Sequence, residues 1–146
     1  MRYLLAILTF LTVNAVFATR PCIKCDLEKV RIVNQHLDSL TDQMVGEFLC
    51  TFNNSCITNV EYSELSNETL FAVLDKAPTL FFQVLTNGQI DDRFILSEIE
   101  NPVNDVINLQ AVYDRIRFSE ANTELKTKYL NALLSAAEKR GQALRK

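Results

Sequence analysis

Few residues in this chain are equipped for covalent chemistry. Four cysteines stand in two pairs, Cys22-Ile-Lys-Cys25 and Cys50-Thr-Phe-Asn-Asn-Ser-Cys56. A CxxC at a helix start has its thiolate favoured by the helix dipole, the condition that thiol–disulfide exchange requires. Four thiolates are also a structural zinc set. In an exported chain the leading reading is two disulfides among Cys22, Cys25, Cys50 and Cys56, with three connectivities open. His36 is the only histidine, and it has no nucleophile in its vicinity along the chain. Asp91-Asp92 and the Glu98, Glu100 pair lack the companions of a metal site and read as solvated faces. No phosphate loop or zinc-hydrolase motif occurs. Neither a metal nor a cofactor is expected.

These cysteines frame an apolar run that must position them. Leu27, Val30, Val33, Leu37, Leu40, Met44 and Phe48 recur at spacings of three and four, one stripe of an α-helix. Asp26 is placed to cap it. If residues 26–49 form one straight helix, its ends lie about 36 Å apart. A disulfide needs Cα atoms within roughly 7 Å. The bonds would then be local, Cys22–Cys25 and Cys50–Cys56. If the run bends near Ser39–Asp42, the ends meet, and Cys25–Cys50 with Cys22–Cys56 form two rungs across a helical hairpin. The unbroken stripe favours the straight helix and the paired spacing favours the hairpin. The hairpin is preferred, and both stay open.

Compartment is read from the start of the chain. Arg2 precedes an uncharged run from Leu4 to Leu11, and Val16-Phe17-Ala18 follows. A basic start, a short apolar core and that ending are the parts of a secretory signal peptide over residues 1–18. The core falls short of the roughly 20 residues that span a bilayer. Removal of residues 1–18 takes away Arg2 and moves the formal charge from −3 to −4. A mildly acidic chain without a basic block is a poor nucleic-acid binder. No second apolar stretch reaches membrane-spanning length. A secreted or periplasmic location follows.

Only three glycines, three prolines and no tryptophan occur, too few turn residues for a sandwich or barrel. The helical period lapses from Thr51 to Leu65 and resumes after Ser66-Asn67-Glu68-Thr69, read as a helix start. Pro78 opens a further helix, so 67–76 and 78–86 are two short helices, ended by Asn87-Gly88. A hairpin over 79–96 is the rival, but Ile90, Phe94 and Ile95 share a helical face. Asn101-Pro102 breaks the chain again. Asp105 or Asn108 caps a helix carrying Leu109, Val112, Tyr113 and Ile116, and Ser119 or Asn122 starts the last one, stopped by Gly141. The expected fold is all-α: a small bundle or array of about six short helices over 19–141, stapled by disulfides near the N-terminus, with a frayed basic tail at 142–146. Asn53-Asn54-Ser55 and Asn67-Glu68-Thr69 match the N-glycosylation triplet, with Asn53 and Asn67 as acceptors.

Two partial resemblances bear on function. Cys22-Ile-Lys-Cys25, with Ala77-Pro78-Thr79-Leu80-Phe81-Phe82 and Asn87-Gly88, resembles the thioredoxins. That resemblance implies Cys22 as attacking thiol, Cys25 as resolving thiol and Pro78 as the substrate-facing proline. It lacks the strand that precedes the motif in that family. Cys22-x-x-Cys25 followed by Val30, Val33 and Leu37, with Cys50-x5-Cys56, resembles the saposin-like proteins, which implies a helical fold that binds lipid or an apolar ligand. That family has six cysteines and this chain has four. The function expected first is a non-catalytic exported binding protein, an inhibitor, neutralising protein or effector, whose partner is another protein. A thiol–disulfide oxidoreductase is the second reading. Binding of lipid or a small apolar ligand, suggested by the phenylalanine-rich 71–82, is the third.

Overall fold

A computed structural model describes residues 22–88 and 90–146; the proposed signal peptide lies outside them. Seven α-helices and a 3-10 turn account for the order among the described residues, with no strand. They are α1 (Leu27–Gln35), α2 (Asp42–Leu49), the 3-10 turn (Asn54–Thr58), α3 (Val60–Lys76), α4 (Pro78–Gly88), α5 (Arg93–Glu100), α6 (Leu109–Phe118) and α7 (Thr123–Lys139).

Helix starts follow side-chain chemistry. Asp26 accepts from the amides of Glu28 and Lys29, Thr41 from Met44, Asn59 from Tyr62, Asn108 from Ala111, and Asn122 from Glu124 and Leu125. Each relieves amide groups that a helix N-terminus leaves unpaired. Pro78 occupies the first position of α4, where its missing N–H costs nothing. Gly141 takes a left-handed φ of 64° after α7. The Gln142 amide then reaches back to the Ala137 carbonyl at 2.8 Å and the Gly141 amide to Glu138 at 2.9 Å, the paired closure of a Schellman motif. The tail beyond it is tied down. Leu144 packs against the core, and the Arg145 amide donates to the Gln110 side chain at 2.8 Å.

The apolar run from Leu27 to Phe48 bends. α1 ends at Gln35, residues 36–41 turn the chain, and α2 packs back on α1. Leu37 and Leu40 lie in the turn and still pack against the core, which is why the stripe reads as continuous. Lys29 and Glu47 pair across the two helices.

α3 is the hub. It packs against α1, α4, α5, α6 and the 3-10 turn. It also starts at Val60, well before the expected Ser66-Asn67 cap. Ser66, Asn67 and Thr69 are buried inside it with Tyr62, Leu70, Phe71, Val73 and Leu74. A helix surrounded by neighbours on most sides has no single polar face, so its amphipathic period is weak. The remaining helices close around it: α2 lies on α4, α5 and α6 on α7, and α4 touches α6. Phe81, Phe82 and Tyr129 meet edge to face with ring centroids 5.2–5.3 Å apart, a favourable arrangement for ring quadrupoles.

Candidate functional site

The cysteines come together, in a pairing different from both expected ones. Cys22 bonds Cys50 and Cys25 bonds Cys56, with Cα–Cα distances of 5.9 and 5.4 Å, and no described cysteine is free. The hairpin does bring the ends together, as the bent reading required. Its rungs, however, follow the chain in the same order, first with third and second with fourth, where nested rungs were expected. The reason is local. Cys25 adopts a left-handed φ of 57°, and its amide donates to Thr51 at 2.9 Å. That turn directs the Cys25 sulfur inward to the buried Cys56, while the exposed Cys22 reaches the half-buried Cys50 at the C-terminal end of α2. Lys24 completes the grip, its ammonium donating to the Cys50 carbonyl at 2.6 Å. Two such pairs fit an oxidising compartment.

In this pairing Cys22 and Cys25 are not bonded to each other, and no strand carries them among the described residues. Pro78 lies in a different groove, with Asp75, Lys76, Thr79, Ala111, Asp114, Arg115, Phe118 and Ser119. The groove beside Cys22 is lined instead by Lys24, Leu49, Cys50, Phe52, Ile90, Asp91, Arg93 and Phe94.

The two glycosylation triplets divide. Asn53 is half-buried, and its side-chain oxygen caps the 3-10 turn through the Ser55 amide at 3.0 Å. Asn67 is fully buried. Its amide nitrogen donates to the Glu98 carbonyl at 3.0 Å and to Glu98 Oε2 at 2.8 Å, and its oxygen accepts the Val103 amide at 3.1 Å. The native fold leaves no access for a glycan on Asn67.

Several other titratable groups are paired within the fold. Asp91 is clasped by the Arg93 guanidinium, whose hydrogen bonds and charge hold its carboxyl down at about 2. Asp92 pairs with Lys128 at 2.7 Å. Burial pushes the Glu98 carboxyl up, opposed by the Asn67 hydrogen bond. Burial likewise raises Tyr62 to about 12, against the hydrogen bond to Thr51, and raises Tyr129 as well. His36 bonds the Ile32 carbonyl one turn back at 2.7 Å. No group of three or more His, Cys, Asp or Glu among the described residues is placed to hold a metal ion, and no described helix is long and apolar enough to cross a membrane.

A surface feature absent from the sequence reading is the end of α6. Phe118 is 77% exposed there, with the Arg117 guanidinium 5.4 Å from its ring centroid. It borders the Pro78 groove, a concavity of about 670 Å³ crossed by the Arg115–Asp75 ion pair. The signal was present: Leu109, Val112, Tyr113 and Ile116 define the buried face, and position 118 falls off it. Phe71, Phe81 and Phe82, which suggested an apolar ligand, are packed into the core instead. Compared with known proteins, the chain matches no family model, no curated protein and no solved structure.

Proposed function

We propose that this chain is an exported helical binding protein, without catalysis of its own, whose partner is another protein. The observation that carries this reading is Phe118, a large aromatic ring held in solvent at the rim of an open groove that Asp75, Lys76, Asp114 and Arg115 line with both signs of charge. An exposed aromatic with arginines beside it is the composition of interface hot spots. A small apolar ligand is better served by an enclosed, largely apolar pocket. The export part of the reading rests on the signal-peptide pattern of residues 1–18 and on the two disulfide pairs.

The test is paired affinity capture from native extract with the wild-type protein and Phe118→Ser. Recovery of one stoichiometric protein by the wild type, with at least tenfold less recovered by the variant, is the expected result, an order-of-magnitude figure for loss of an aromatic anchor. Matching far-UV circular dichroism confirms that the variant is folded. Equal recovery by the two proteins, or no stoichiometric partner for either, removes the reading.

A further inference from the structure

The two disulfides sit in different surroundings. Cys56 is buried and Cys25 half-buried, whereas Cys22 is exposed and Cys50 half-buried. Thiol–disulfide exchange requires a thiolate to reach a sulfur, so exposure selects the bond that reacts. We propose that Cys22–Cys50 is a thiol-exchange site, at which an external thiol is captured as a mixed disulfide on Cys22 while Cys25–Cys56 holds the fold.

The chemistry balances with one named co-reactant, a thiol ionised in solution. Its thiolate attacks the sulfur of Cys22, an exposed residue on the lining of an open groove. A new S–S bond forms to Cys22, the Cys22–Cys50 bond breaks, and the electron pair leaves on the Cys50 sulfur as a thiolate. A second thiolate, from the same dithiol or from another molecule, attacks the external sulfur of the mixed disulfide. Cys22 is then released reduced and the external thiol leaves oxidised.

Two features favour this direction. Lys24 keeps its ammonium on the Cys50 carbonyl at 2.6 Å, so a cation stands beside the residue that takes the departing charge. A better-stabilised leaving thiolate departs faster. It also offsets the carbonyls at the end of α2, where Cys50 is the C-cap and where a negative charge is disfavoured. The exchange also leaves the architecture in place. With Cys22 released, Cys25 remains bonded to Cys56, and its amide still donates to Thr51. Of the described residues, only 22–24 lose their covalent tie, alongside the groove of about 510 Å³ that Leu49, Phe52 and Phe94 line. The inference is independent of a partner at Phe118, which lies on the other groove.

Small aliphatic thiols and protein dithiols share this chemistry, so the experiment uses both. The oxidised protein is incubated with reduced glutathione, and separately with a reduced dithiol protein, then acid-quenched, alkylated and mapped by peptide mass spectrometry. The expected result is opening of Cys22–Cys50 at least about tenfold faster than Cys25–Cys56, a glutathione adduct on Cys22, and unchanged far-UV circular dichroism after the first opening. Lys24→Gln should slow only the first opening, by several-fold. The reagent that succeeds identifies the source of the thiol. Both bonds opening together, Cys25–Cys56 opening first, the adduct appearing on Cys50, or failure of both reagents overturns the proposal.

Discussion

Asn67 ties together three parts of the chain. From inside α3 it holds the last turn of α5 through Glu98 and the following loop through the Val103 amide. Every hydrogen-bonding atom of its side chain that touches these partners is out of water, so removing it strands them. Asn67→Ala should lower the unfolding free energy by about 3 kcal/mol, since each buried group left without a partner costs roughly 1–3 kcal/mol. Urea denaturation measures this; a loss under about 1 kcal/mol would mean that water replaces the amide. None of this was legible in the sequence. Asn67-Glu68-Thr69 has the look of a surface triplet, and its partners lie 31 and 36 residues away. Asp26 was legible as a cap, and Asn108 and Asn122 each as one of two candidates, because a cap bonds amides two or three residues along the same chain.

Legibility at the scale of elements follows the same division. The helices with one buried face, α1, α6 and α7, announce themselves through apolar spacing, while Pro78 marks the start of α4 and Gly141 the end of α7 locally. α3 was half hidden because it is enclosed by its neighbours. The disulfide pairing was hidden for a conformational reason: nothing in Cys22-Ile-Lys-Cys25 signals that Cys25 adopts a positive φ. One element carries an avoidable weakness. Gly46 lies within α2, and a methyl group there would meet the Val84 side chain at 3.6 Å, ordinary van der Waals contact. Gly46→Ala should therefore stabilise the protein by about 1 kcal/mol, the helix-propensity difference. Thermal unfolding is the measurement, and a lower midpoint would show that the α2–α4 contact cannot take the added methyl.

Over the whole molecule, proton binding and folding are linked through the buried acids. Burial raises the Glu98 carboxyl, so the folded state holds that proton more tightly than the unfolded chain. Its contribution to stability is complete below the unfolded carboxyl value of about 4.3 and is lost as pH rises through the raised folded value. Glu98→Gln keeps an acceptor for Asn67 without the charge. It should flatten that decline and unfold at higher urea than the wild type at pH 7; an unchanged profile would mean that Glu98 is solvated. Asp91, held at about 2, acts in the opposite sense, but it is exposed and its pair is screened by solvent. On the alkaline side, Tyr62 at about 12 extends the same logic, its stabilisation fading as pH climbs from about 10. The disulfide order carries a last consequence, for chain continuity. The turn at residues 36–41 lies between the two members of each pair and is largely exposed at His36, Asp38 and Ser39. A protease that cuts this turn separates no mass from the molecule. The piece bearing α1 stays bound to the rest by two covalent bonds, and the nick shows on a gel only after reduction.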